Sequence, residues 1–151
     1  MTGEIVLHDV GRASAASNKA QLRSVVVIGL EGKSLGVQSS KSLSFEVRHH
    51  VALWNVLDDA LIALHGLTVT IRQNLESHQQ EDLLEVTVRL RTEYALLPAY
   101  DATSDEGLLN DFVGIVGRLH VWPYFRAEVQ QLTAKFGVAP LTLPVLLSGN
   151  T

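Results

Sequence analysis

The hydrophobic period of the sequence changes once, close to Pro98. Before this proline, apolar and polar residues alternate over four separate stretches, and a period of two is typical of strands with one buried face. After it, apolar residues recur every three or four positions, as they do in an amphipathic helix. Strands with one apolar face, followed by a helix with an apolar stripe, bury both best by packing together. The pattern therefore predicts the α+β class, with a four-stranded sheet covered on one face by a long C-terminal helix.

The four predicted strands are separated by short connections. Their apolar positions fall in residues 22–30, 43–51, 61–71 and 84–96, and a bend is expected at residues 54–58. Because no connection is long enough for a crossover helix, the strands are expected to form an antiparallel meander. The 151 residues are expected to form one domain, in which residues 1–19 are a short helix or a loose arm.

The predicted helix carries a continuous apolar stripe. Its members are Leu108, Phe112, Ile115, Leu119, Trp122, Phe125, Val129, Leu132 and Phe136. Ser104 is a suitable N-cap, and Gly137 is placed to end the helix. Pro123 lies inside the stripe, lacks an amide hydrogen, and directs its ring at the carbonyl of Leu119. A kink or a restart of the helix is therefore expected at Pro123.

The apolar content exceeds what a core of this size hides easily. Apolar residues make up 46% of the chain and charged residues 19%, below the roughly 25% usual in soluble domains. This composition excludes intrinsic disorder. The most apolar stretch, residues 139–147, contains two prolines and is too short to span a membrane. The surplus is expected to be buried between subunits or kept for a partner.

Charge and cysteine content exclude several classes of function. The chain has 12 Lys and Arg residues against 16 Asp and Glu residues and no run of cations, so nucleic acid is not expected as a partner. The absence of cysteine excludes disulfides, thiolate catalysis and cysteine-bound metals. The N-terminus lacks the basic flank and apolar stretch of a signal peptide, which predicts a cytoplasmic protein without membrane insertion.

No group of residues points to catalysis or to a cofactor. His49 and His50 are adjacent on a predicted strand and face opposite sides, and the other histidines have no partner at a ligand spacing. Asp58 and Asp59 favour a turn, since no nucleophile or base is spaced to join them. Glycine motifs for phosphate are absent. We expect no metal, no cofactor and no enzymatic activity.

The most unusual local feature is the aromatic segment of residues 122–126. Trp122 and Phe125 fall on the apolar stripe of the predicted helix, whereas Tyr124 points away from it. An aromatic ring with a polar tip favours sites that are dry at one end and wet at the other. The segment is therefore either helix core or part of a binding surface.

This segment and the one that follows it resemble the SecB chaperone family. Members carry a similar [LF]-[FW]-P-Y-x-R helix and then a Pro-x-Leu-x-Leu-x-Pro-like segment, matched here by residues 120–126 and 139–144. The resemblance covers about residues 21–147, with strands, a crossover loop and a long helix in the same order. It implies an ATP-independent holdase, assembled as a homotetramer (a dimer of dimers), that binds unfolded chains in apolar grooves between the sheet and the helix and loop layer.

The resemblance also implies which residues bind clients. The groove candidates are Phe45, Val47, Leu83, Leu96, Leu97, Tyr100, Trp122 and Tyr124. Phe112 and Ile115 are the candidates for the contact between dimers. A shallow apolar groove accepts many sequences, because burial yields about 25 cal/mol per Å² without directional demand. The expected clients are unfolded preproteins awaiting export or one dedicated antitoxin.

The chain departs from the export-type members in ways that bear on its partners. Those members continue into a further helix and a charged tail that docks the SecA motor, whereas this sequence stops at Thr151. Gly29 and Lys33 stand where first-strand acids help to form the SecA-facing surface, and mainly Glu85 is kept. SecA is therefore a weakly supported partner, and short members that serve toxin–antitoxin systems are more similar. The alternative is a small-ligand-binding or structural oligomer domain with the same shell.

Overall fold

The computed structural model describes residues 20–96 and 106–145. Within them, five strands precede the helices: β1 (Ala20–Ser34), β2 (Leu43–His49), β3 (Leu53–Leu57), β4 (Ala60–Asn74) and β5 (Gln80–Leu96). A 3-10 turn, Glu76–His78, joins β4 to β5. The helical part comprises α1 (Glu106–Asp111), a π-helical segment (Phe112–Gly117) and α2 (Arg118–Lys135). The predicted arm of residues 1–19 and the predicted cap at Ser104 lie outside the described residues.

The strands form one antiparallel sheet in the order β1-β5-β4-β2, with β3 also paired to β4. β2 pairs with the second half of β4, from Leu43 opposite Gln73 to His49 opposite Leu67. β3 pairs with the first half, and the expected bend at residues 54–58 is in fact most of this strand. The strand forms because Trp54 and Val56 alternate with exposed neighbours and pack against the core. The predicted α+β class is confirmed, with five strands instead of four.

β1 and β2 follow each other in sequence but lie at opposite ends of the strand order. The expected meander is therefore wrong for β1, which pairs with β5. Residues 35–42, which we call the 35–42 connection, pass across β5 and β4 to join the two edges. About eight extended residues reach roughly 26 Å, and three strand spacings amount to only about 14 Å. The crossing accordingly needs no helix.

The described chain divides into two compact units. Unit 1 contains residues 20–28, 51–65, 89–96 and 106–123, and unit 2 contains residues 29–50, 66–88 and 124–145.

The core of unit 1 joins two strands to the start of the helical part. Its buried members are Leu61 and Ala63 of β4, Tyr94 and Leu96 of β5, and Leu109, Phe112 and Val113. The rings of Tyr94 and Phe112 meet edge to face with their centroids 4.9 Å apart. An edge-to-face pair at this distance is a favourable aromatic contact.

The core of unit 2 also comes from β4, β5 and the helical part. Its buried apolar residues include Leu67, Val69, Ile71, Leu84, Val86, Val88, Phe125, Val129, Leu132, Val138 and Leu143. The faces predicted for the two long strands are thus the buried ones. Leu83 and Leu84 are both buried although they are consecutive, so the strict alternation of a strand is interrupted at this point.

The sequence predicted a kink or a restart of the helix at Pro123, and the structure shows no restart there. α2 continues through this residue, and the irregular segment lies earlier, at Phe112–Gly117. Pro123 is on the exposed side of α2, where a carbonyl that loses its amide partner can be hydrated. The predicted end at Gly137 is confirmed, because this glycine has φ +74°. None of the described helices combines the length and apolar character needed to cross a membrane.

Candidate functional site

The segment after α2 turns back along the helix in unit 2. The amide of Val138 donates to the carbonyl of Thr133 over 3.2 Å, and that of Gly137 donates to Ala134 over 3.1 Å. These two bonds form a Schellman motif, which places a glycine with positive φ just past the last helical turn. The chain therefore leaves the helix in a fixed direction.

Two side chains of α2 hold the returning segment. Arg126 Nε donates to the carbonyl of Leu143 over 2.8 Å, and the Leu141 amide donates to Thr133 Oγ1 over 3.0 Å. Thr133 and Leu143 are fully buried. Arg126 ends the first sequence block that resembles SecB, and Leu143 belongs to the second. The structure thus explains why the two blocks occur together.

Unit 2 leaves several large apolar side chains exposed on α2, directly after α2 and on β2. Tyr124 on α2 is 45% exposed, Phe136 after the helix is 41% exposed, and Phe45 on β2 is 41% exposed. The ring of Phe136 lies against Gly32, since a Cβ built on this glycine would be 2.0 Å from Phe136 Cε2. The end of β1 and the end of α2 therefore meet in this unit.

The 35–42 connection adds two further exposed apolar residues. Leu35 is exposed, and Val37 is 85% exposed. Phe45 lies opposite Ile71 in the β2–β4 register, on the same face as Gln73, and Gln73 hydrogen-bonds to the connection. Phe45 and the 35–42 connection are therefore associated with the same face of β4. These five exposed apolar residues of unit 2, Leu35, Val37, Phe45, Tyr124 and Phe136, are together named the apolar surface of unit 2 for their shared exposure.

The sequence-predicted groove residues fall into three groups. Phe45 and Tyr124 are exposed and belong to this surface, and Val47 is half-buried. Leu83, Leu96 and Trp122 are buried. Leu97 and Tyr100 lie outside the described residues. Sequence reasoning missed Leu35 and Val37, although two apolar residues inside a Gly- and Ser-rich loop are a signal that could have indicated them.

Neither candidate for the contact between dimers is an exposed residue within its own chain. Phe112 is part of the core of unit 1, and Ile115 is half-buried. Along β1, the same unit exposes Leu22, Val26, Val27 and Ile28. β1 is the terminal strand of the order, so one side of its backbone is unpaired in the described sheet. An apolar edge strand of this kind invites pairing with another chain.

A polar cluster lies inside unit 1, between the sheet and the helical part. His65 Nε2 is 3.2 Å from Thr92 Oγ1, and Tyr94 Oη is 2.9 Å from His120 Nδ1. Gly117 approaches closely, because a Cβ added to it would be 3.0 Å from His65 Cε1. These groups hydrogen-bond in two pairs, and His65, Thr92 and Tyr94 are all buried.

Burial controls the ionisation of this cluster. Desolvation, followed by the charges of Arg118 and His120, lowers the pKa of His65 from 6.5 to about 4. Desolvation also lowers the pKa of His120 and raises the pKa of Tyr94 to about 12. The cluster is therefore neutral at physiological pH. Neutral, hydrogen-bonded groups suit a structural role that holds the helical part on the sheet. In the part of the chain that the structure describes, no three His, Asp or Glu side chains are grouped to hold a metal ion.

Comparison with known proteins gives a match at the level of fold. No protein-family model matches the sequence, and no curated protein does. Among solved structures, the chain is similar to the SecB-like chaperone Rv1957 of Mycobacterium tuberculosis, in complex with a ChAD peptide from the Rv1956 HigA1 antitoxin. The TM-score is 0.78 at 17% identity, and the match covers 91% of this chain and 98% of the other. A protein of unknown function from Streptococcus agalactiae matches with a TM-score of 0.34, 7% identity and coverages of 83% and 97%. The expected SecB-like fold is confirmed by the first of these.

Proposed function

We propose that this SecB-like protein is an ATP-independent chaperone that binds unfolded or partly folded polypeptides, without catalysing a reaction. The observation that carries the proposal is the apolar surface of unit 2, whose aromatic members are on regular elements or packed against them. Phe45 belongs to a paired strand, Tyr124 to α2, and Phe136 rests on Gly32. Exposed aromatic and aliphatic side chains on ordered backbone provide contact area for a client at little cost in conformational entropy.

The chemistry of this surface favours a polypeptide over a small ligand. Its members are large, apolar and separately exposed, which suits an extended chain that presents apolar side chains along its length. Apolar contact has little directional demand, so one surface can bind many sequences. We infer that Phe45 and Tyr124 are the central contacts. Leu83, Leu96 and Trp122 are buried core residues, while Val47, Leu97 and Tyr100 remain candidates for further contacts.

We propose that the client is an antitoxin or a similar aggregation-prone protein. This is supported by the similarity in fold to a chaperone whose structure includes an antitoxin peptide. Export clients and docking to SecA form the second version of the same proposal. The resemblance to SecB supports a homotetramer in the cytoplasm. The edge of β1 supports contact between copies of the chain. Ile115 is the better of the two candidates for the contact between dimers, because Phe112 is 1% exposed within its own chain.

Suppression of aggregation tests the proposal. Chemically denatured luciferase is diluted into buffer with the wild-type protein or with Phe45→Ala or Tyr124→Ala, and light scattering is followed. The wild type should suppress scattering and both variants should suppress it less. Leu57→Ala is the matched control, since Leu57 is an exposed apolar residue of β3 in unit 1. No suppression by the wild type, together with measurable affinity for a small apolar dye, would refute the proposal and favour a small-ligand-binding domain.

A further inference from the structure

Gln73 holds the 35–42 connection through its side-chain amide. Gln73 Oε1 accepts from the Ser39 amide over 2.8 Å, from Ser39 Oγ over 3.3 Å and from the Ser40 amide over 3.1 Å. Gln73 Nε2 donates to the Val37 carbonyl and to Glu81 Oε2, each over 3.1 Å. Gln73 is fully buried. A single side chain of β4 thus binds backbone groups of three residues of the connection, Val37, Ser39 and Ser40.

The ends of the connection are fixed by neighbouring strands. The Leu35 amide donates to the Leu83 carbonyl of β5 over 2.8 Å, and the Asn74 amide of β4 donates to the Ser42 carbonyl over 2.8 Å. Gly36 lies close to β5, because a Cβ built on it would be 3.2 Å from the Asp82 carbonyl oxygen. Between these ends, the hydrogen bonds of Gln73 hold the middle of the connection.

The fixed backbone contrasts with the exposure of the side chains. Val37 is 85% exposed although its carbonyl accepts from Gln73, and Leu35 is exposed although its amide is bonded to β5. A loop that must become ordered on binding loses affinity through the entropy of ordering. A loop that is already ordered avoids this loss, which is the general advantage of preorganisation.

We infer that Gln73 is a positioning residue, which holds the 35–42 connection as a preformed wall of the surface that binds an unfolded polypeptide. The inference rests on the proposed function and adds a residue that does not touch the client. Glu81 is the second member of this device, because it accepts one of the two donor hydrogens of Gln73. Removing the amide should keep the same apolar side chains on the connection but allow the backbone that carries them to move.

Three variants test this role. Gln73→Leu removes all of the amide's hydrogen bonds at similar volume. Gln73→Glu keeps an acceptor for Ser39 and Ser40 but loses the donor to Val37 and faces Glu81 with a like charge. Adding Glu81→Gln to Gln73→Glu restores a donor–acceptor pair between the two positions. Gln130→Leu on the exposed side of α2 is the matched control.

Two measurements separate positioning from folding. Because the chain contains no cysteine, Val37→Cys gives a single site for a nitroxide label, whose spectrum reports the mobility of the connection. Affinity and dissociation rate are measured separately with fluorescein-labelled, reduced and carboxymethylated α-lactalbumin, which stays unfolded. Gln73→Leu and Gln73→Glu should mobilise the label and weaken binding about tenfold, mainly through faster dissociation. The double variant should recover part of both, and Gln130→Leu should match the wild type.

Each outcome has a distinct meaning. Binding by the wild type with unchanged affinity in Gln73→Leu and Gln73→Glu would overturn the positioning role and leave the proposed function intact. A label that stays immobile in both variants would show that other contacts hold the connection, and would also overturn it. No binding by the wild type would refute the proposed function, and the inference with it. If Gln73→Leu does not fold, the comparison of Gln73→Glu with the double variant decides.

Discussion

The buried histidine of unit 1 should make the stability of the protein depend on pH in a calculable way. The pKa of His65 is lowered from 6.5 to about 4 in the folded chain, because burial penalises the charged imidazolium. Between these values the unfolded state binds a proton that the folded state does not. The free energy of unfolding therefore rises as the pH increases across this window. The stabilisation that His65 contributes is lost as the pH falls through the same window.

The magnitude follows from the two pKa values. For a single group with these values, acidification from pH 7.5 to 4.5 removes about 2.5 kcal/mol of stability. This is a large share of the roughly 5–15 kcal/mol that stabilises an ordinary domain. His120, whose pKa is also lowered by burial, should add to the effect in the same direction.

Urea unfolding of the wild type and of His65→Gln at pH 7.5 and 4.5 measures this contribution. Other groups titrate in both proteins, so the quantity of interest is the difference between their pH dependences. The wild type should lose about 2.5 kcal/mol more than His65→Gln. His78→Gln is the control, because His78 is solvent-exposed, and it should behave as the wild type does. Equal pH dependence of the wild type and His65→Gln would refute the argument that the buried ring stays neutral.

Three other substitutions probe the packing and the return of the chain after α2. Gly66→Ala should destabilise by about 1–3 kcal/mol in urea unfolding, because the added Cβ would be 2.4 Å from His50 Nδ1 and the ring cannot withdraw freely. Gly137→Ala should cost about 1 kcal/mol through its φ of +74° alone, since nothing lies within 4 Å of its Cβ, and Gly137→Asn should cost less. Arg126→Met should remove the bond to the Leu143 carbonyl and speed trypsin cleavage at Lys135, with little change in the sheet by circular dichroism. Cleavage at the wild-type rate would contradict that last expectation.

The faces of the long strands could be predicted from the sequence, and the strand order could not. Alternation reports which side chains are buried, and the predicted faces of β4 and β5 are the buried ones. It carries no information about which strand lies beside which. β1 pairs with β5, and the 35–42 connection that leads from β1 to β2 is held across the sheet by Gln73, a polar residue whose contacts are distant in sequence. The alternation in β3 is short and ends at Asp58 and Asp59, so the sequence predicts a bend where the structure has a strand.

The candidate site was predictable only in part for a related reason. Tyr124 points away from the apolar stripe, and it is exposed in the structure as that direction implies. The sequence predicts which side of the helix Trp122 faces, but not how deeply the side chain is buried. In the structure Trp122 is buried. Val37 could not be recognised as part of an ordered surface, since its order comes from hydrogen bonds to its backbone. The residue pattern predicted the wrong neighbour for β1, whereas the family resemblance implied the SecB-like fold that the structural comparison confirms.

The edge of β1 also bears on how the chain behaves while it folds. A newly made copy exposes Val26, Val27 and Ile28 on a strand that is the terminal one among the described strands, and an apolar edge strand is the kind of segment that aggregates. If copies cover this edge for one another, thermal stability depends on protein concentration by mass action. Dilution would then lower the Tm. A chaperone of the kind proposed would then itself depend on contact with a second copy from the moment it folds.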